Sequence, residues 1–167
     1  ENLAYGLEKG AKNLHLQLAY IEALLCQDRF AEAEEAFGKV EKLAEYPSAA
    51  AFIEARLALS KADTSQAIEI LSRTFEENPL AREAVLALAG IFDSQGDAYA
   101  GGALLSEALA YNAYNPDMWA AYARFAEATD AEEDAQYAVL QALELAYSAA
   151  QRQRFADEFS RWLSPRE

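Results

Sequence analysis

Leu86-Ala87-Leu88-Ala89-Gly90-Ile91-Phe92-Asp93-Ser94-Gln95-Gly96-Asp97 is the stretch that decides how this chain folds. Leu86, Leu88, Ala89 and Phe92 recur at the spacing that gathers apolar side chains on one face of an α-helix. Gly96-Asp97 then interrupts the pattern, because glycine and aspartate favour turns and helix starts over helix interiors. Beyond the break, Gly101 and Leu105 open a second apolar run. The stretch therefore predicts one helix-turn-helix unit.

Stepping outward from Gly101 shows that the unit is repeated. Ala33, Ala67, Gly101 and Ala135 stand at intervals of 34 residues with no insertion. In the same register lie Phe37, Leu71, Leu105 and Val139, and likewise Ile21, Ala55, Ala89 and Ala123. Leu24, Ala58, Phe92 and Ala126 form a further column, and Val40, Thr74, Ala108 and Ala142 another. Every column is small or apolar, with Thr74 as the single polar member. Small residues let neighbouring helices approach, and large ones fill the space beside them. A fixed period of this length marks an array of stacked supersecondary units. Breakers fall inside each unit at Gln27-Asp28-Arg29, Ala62-Asp63-Thr64, Gly96-Asp97 and Thr129-Asp130-Ala131. Between units stand Pro47-Ser48, Asn78-Pro79 and Asn115-Pro116, of which Ser48 and Asp117 suit the first turn of a following helix.

The third unit, with Leu88-Ala89, Phe92 and Gln95-Gly96-Asp97, resembles the first-helix-and-turn signature of tetratricopeptide repeats. The fourth contributes Trp119 and Tyr122-Ala123, and the second contributes Pro79 at its end. The resemblance spans roughly residues 14–147. Gln17, Glu54 and the absence of a turn glycine in the fourth unit depart from it. The resemblance implies an all-α, right-handed superhelical α-solenoid of about four units at residues 14–47, 48–81, 82–115 and 116–147. Residues 1–12, with Leu3, Gly6 and Leu7, match the closing helix of a preceding unit, as in a piece of a longer array. Residues 148–163 are expected to form one capping helix with Phe155, Phe159, Trp162 and Leu163 on its packed face, because a solenoid must cover its last apolar face. Arg152, Arg154 and Arg161 would offset the acidic fourth unit, where Glu132, Glu133 and Asp134 cluster, and Ser164-Pro165 would end the helix.

Composition narrows the functional classes. The 167 residues include 28 acids against 14 bases, a net charge of −14. That sign opposes nucleic-acid phosphates and anionic membrane surfaces, and no apolar run is long enough for membrane insertion. The single cysteine, Cys26, cannot form an internal disulfide, which suits a cytoplasmic or a periplasmic soluble protein equally. At a helix end beside Leu25, it reads as a small buried hydrophobe. His15 is the only histidine and has no partner for nucleophilic or metal chemistry. Gly101-Gly102 precedes no Lys-Ser/Thr pair, so it reads as a site of close helix contact and not as a phosphate loop. The run Glu132–Asp134 lacks the alternating oxygen ligands of a calcium loop and suits a helix N-terminus. No enzyme activity, cofactor or metal is expected from these residues.

In the fold that this sequence resembles, the first helices of successive units line a concave groove that receives peptides. The residues expected to bind a partner there are Leu18 and Glu22, Phe52 and Arg56, Leu86 and Asp93, and Arg124 and Glu127. His15, Leu25, Ala49, Leu59, Glu83, Gly90, Asp117 and Ala120 would share that face. The family's carboxylate clamp uses lysines and asparagines at these columns, and they are absent, so an acidic C-terminal tail is not the expected ligand. Leu18, Phe52 and Leu86 share one column and would offer an apolar stripe to an extended or amphipathic helical segment. The expected function is a non-catalytic protein-protein interaction scaffold. The alternatives are a regulatory or substrate-presenting domain of a larger enzyme or assembly, and a homo-oligomeric self-association module. Trp119 to Phe125 also resembles the half-a-tetratricopeptide motif of RNA-processing scaffolds, but one unit alone shows it and a basic face is missing.

Overall fold

The computed structural model describes residues 13–40 and 46–163, which are helices joined by turns, without a strand. The readings made for residues 1–12 and for Ser164-Pro165 lie outside these described residues. Among the described residues ten helices follow in order: α1 Leu14–Leu25, α2 Phe30–Phe37, α3 Pro47–Ser60, α4 Thr64–Glu77, α5 Arg82–Gln95, α6 Ala98–Tyr111, α7 Pro116–Ala128, α8 Glu132–Glu144, α9 Ala149–Glu158 and α10 Ser160–Leu163. They divide into two compact bodies, one ending at Asn78 and one beginning at Pro79.

The second helices begin at Phe30, Thr64, Ala98 and Glu132, so the 34-residue step of the sequence is the step of the backbone. The turn between paired helices repeats as strictly. Asp28, Ala62, Gly96 and Asp130 all hold left-handed backbone, with φ of 56°, 60°, 71° and 56°. The next residue then donates its N–H five positions back: Arg29 to Leu24 O and Asp63 to Ala58 O at 3.0 Å, Asp97 to Phe92 O and Ala131 to Ala126 O at 2.9 Å. This is the Schellman closure, which satisfies carbonyls that the helix end leaves free. Glycine holds the left-handed position in only one unit, yet all four adopt it. Asp63 and Asp97 also cap α4 and α6, accepting from Gln66 N and Ala100 N at 3.0 Å.

Ala62 bears the least favourable of these residues, since alanine lacks the local hydrogen bonding that eases aspartate into this region. Ala62→Gly is therefore expected to stabilise the first body by about 0.5–1 kcal/mol, after the entropy gained by the unfolded chain is subtracted. An unchanged or lower urea midpoint would count against the strain.

Each body has its own core. In the first, Leu18, Ile21, Leu24, Leu25, Ala33, Ile53 and Leu57 form one buried cluster, with Phe37 and Val40 packed against it. Thr74, the polar member of its column, is buried and donates to Ile70 O at 2.8 Å, which settles its hydroxyl without an outside partner. In the second, Ala120, Ala123, Ala138, Val139, Ala142 and Leu143 pack with Phe155 and Phe159. Gly101 faces Phe125 so closely that a Cβ there would overlap the ring.

Three expectations are corrected. Cys26 is exposed, not buried: α1 ends at Leu25, and the capping position carries the thiol out to solvent. Pro47 opens α3 and so belongs to the second unit, because its fixed φ suits the first helical position. The single capping helix is broken at Phe159 into α9 and α10; Phe155 and Phe159 are buried, whereas Leu163 is 42% exposed. The break lets Trp162 turn its indole N–H onto Glu127.

Candidate functional site

In the second body, α5, α7 and α9 together wall a cavity of about 460 Å³. Arg82, Leu86, Gly90 and Asp93 come from α5, Asp117, Ala120, Ala121 and Arg124 from α7, and Arg154, Phe155 and Glu158 from α9. Residues three or four apart on a helix share a face, so each helix presents a single stripe. The stripes are also in register. Leu86, Ala120 and Arg154 stand 34 residues apart, as do Gly90, Arg124 and Glu158. Gly90 leaves open space where a side chain would project. Its walls are mixed: Leu86 is a half-buried apolar side chain there, while Ala120, Ala121 and Phe155 lie almost wholly buried behind the charged side chains.

Charges rim this interior and hold one another. The Asp117 carboxylate accepts from Arg82 Nη2 at 2.7 Å, Arg154 Nη2 at 2.8 Å and Gln151 Nε2 at 3.1 Å. It sits in the first turn of α7, where the helix dipole favours an anion. Arg124 Nη1 donates to Glu158 Oε1 at 2.8 Å. Arg154 also lies over the Phe155 ring, 4.8 Å from its centroid. Arg82 Nε is buried with no acceptor among the described residues. Asp93 is exposed on the α5 side.

Of the residues expected from sequence, Leu86, Asp93 and Arg124 meet in this cavity. Glu127 lies elsewhere, lining a cavity of about 490 Å³ with Asp130, Glu132, Arg161 and Trp162. There it accepts from Arg161 Nε at 3.0 Å. Arg154 thus reaches Asp117 and Arg161 reaches Glu127, both acids of α7.

The first body holds the other four. Leu18 is only 5% exposed and belongs to the core, while Glu22 is exposed one turn later. Phe52 is half-buried. Arg56 donates from Nη2 to Leu25 O at 3.2 Å and approaches Cys26 Sγ at 3.7 Å, closing the C-terminal end of α1. His15 Nε2 is 2.8 Å from the Tyr46 hydroxyl, with the rings edge to face.

Sequence reasoning missed Arg82, Arg154, Phe155 and Glu158. The signal existed: continuing the 34-residue step from Ala120 and Arg124 leads to Arg154 and Glu158, so α9 takes the place of a fifth first helix.

No family model matches this sequence, and no curated protein matches it either. Solved structures do. A thermophilic TPR protein of Thermus thermophilus superposes with a TM-score of 0.71 at 18% identity, covering 93% of this chain and 86% of its own. PilF of Pseudomonas aeruginosa gives 0.59 at 18% identity, over 93% of this chain and 71% of its own. The MamA protein gives 0.58 at 15% identity, over 92% and 80%. With the helix-turn-helix period, the recurring left-handed turn and these neighbours, the chain has the fold of a tetratricopeptide-like helical repeat domain.

Proposed function

We propose that this chain is a non-catalytic interaction module that seats a segment of a partner protein in the cavity between α5, α7 and α9. The observation that carries the reading is the construction of that cavity from matching positions of successive helices, with Leu86 among charged side chains. Concave sites of this size are where proteins take up ligands, and the charged lining of this one suits a segment with polar side chains. Leu86 offers apolar contact, and Arg124 keeps guanidinium donors beyond the one held by Glu158. Asp93 selects against acidic side chains at its end. In the first body, Phe52 and Glu22 are the accessible residues of the same two register rows. Leu18 and Arg56 support them, one from within the core and one by holding the end of α1. Glu127 contributes from its own cavity.

Gly90 provides the test. A Cβ there meets nothing within 4 Å, so Gly90→Leu is expected to project into the cavity and to gain about 0.5–1 kcal/mol of helix propensity. Peptides selected from a random display library on the whole protein are expected to bind Gly90→Leu at least about tenfold more weakly, while its melting temperature rises. Selected peptides that bind this variant as tightly as the wild type would place the partner site elsewhere.

A further inference from the structure

Helix α8 buries one face, through Ala135, Ala138, Val139, Ala142 and Leu143. Its outer face carries a second ordered stripe: Glu133, Tyr137, Leu140 and Glu144, all exposed, at the i, i+4, i+7, i+11 spacing of one helical side. Tyr137 is 56% exposed and Leu140 51%, which is unusual for two large apolar side chains one turn apart on a helix already packed on its other side.

The stripe continues beyond α8. Tyr137 meets Trp119 edge to face at 5.5 Å between centroids. The Trp119 indole donates to Ala113 O at 2.7 Å, and the Tyr147 hydroxyl donates to Tyr114 O at 3.3 Å. Tyr114 and Tyr147, 79% and 72% exposed, therefore extend the same aromatic surface. These hydrogen bonds hold the Trp119 and Tyr147 side chains in place, so binding those two rings costs little side-chain entropy.

The charge along α8 itself is of one sign. No lysine or arginine occurs between Arg124 and Arg152, while Glu132, Glu133, Asp134 and Glu144 all lie on α8. Rings with an exposed π-face next to carboxylates favour cations, which gain both quadrupole and Coulomb attraction. The same acids oppose anionic lipid and nucleic acid.

We propose that the outer face of α8, with Tyr137, Leu140 and Trp119 beside Glu133 and Glu144, docks an arginine- or lysine-bearing amphipathic segment of a protein partner. Its basic side chains would lie over Tyr137 and Trp119 and reach the flanking carboxylates, with its apolar side chains on Leu140. None of these five residues lines the cavity proposed above, so the two sites stand or fall separately.

The probe is a synthetic helical peptide with arginines and leucines along one side, titrated calorimetrically into the whole protein, with a glutamate-for-arginine version as control. The arginine peptide is expected to bind, the glutamate peptide not, and added salt to weaken the complex. Tyr137→Ala keeps the charge of the protein, yet is expected to weaken binding at least about tenfold. Leu140→Ser, on the same exposed side, provides a second variant, and unchanged melting of either shows that the fold is intact. Gly90→Leu is expected to bind the peptide as the wild type does. No binding of the arginine peptide would overturn the proposal. So would equal binding by both aromatic-face variants, which would mean general attraction to an acidic protein. A concentration-dependent dimer abolished by Tyr137→Ala would assign the face to a second copy and overturn it as well.

Discussion

Phe155→Ala is expected to cost the second body about 3–5 kcal/mol, the range for emptying a buried aromatic site. The ring is 1% exposed, packs among the alanines of α7 and α8, and lies beneath the Arg154 guanidinium. A typical domain is stable by only about 5–15 kcal/mol, so this one change removes much of the margin. The loss should extend beyond stability. Phe155 also walls the cavity, and α9 supplies the Glu158 that holds Arg124. Urea unfolding of Phe155→Ala and Phe155→Leu, followed by tryptophan fluorescence, is the direct measurement. Leucine refills most of the space and should recover more than half of the loss. Equal midpoints for wild type and alanine variant would show that the cap does not complete this core.

Gly101→Ala is expected to destabilise the second body, although alanine is the better helix former. A Cβ at Gly101 would overlap Cε1 and Cζ of Phe125, whose ring is itself buried at 4% exposure and must shift to admit it. Overpacking of this kind costs about 1–3 kcal/mol, against about 1 kcal/mol of propensity gained. The neighbouring glycine separates the two effects. A Cβ at Gly102 lies 3.8 Å from Phe125 Cβ, an ordinary contact, so Gly102→Ala should raise stability by about 0.5–1 kcal/mol. Opposite shifts in melting temperature for adjacent, chemically identical substitutions would establish that Gly101 is required by packing. Shifts of the same sign would refute the close approach.

The candidate site was legible in its rows and not in its contents. Leu86, Asp93 and Arg124 could be placed on one side of the first helices by counting, because side-chain direction in a helix follows from position alone. Whether Arg124 is free or paired depends on Glu158, which sits on α9, beyond the four units read from the sequence. Leu18 shares its column with Phe52 and Leu86, yet it is buried whereas they are half-exposed. Column membership sets which way a side chain points; its neighbours in space set how much water it keeps.

The sequence by itself determined the helix-turn-helix unit, its 34-residue step and the small residues that let helices meet. Periodicity is a local property, written once per turn and repeated in every unit. It even located the intra-unit turns, although Ala62 and Asp130 give no glycine signal. Only the tertiary structure decided that those turns share one left-handed residue, and that Gly101 is filled against Phe125 while Gly90 is left open. It alone broke the cap at Phe159, exposed Cys26 and bound Asp117 between two arginines. Such outcomes depend on what approaches from another helix, which no window along the chain contains.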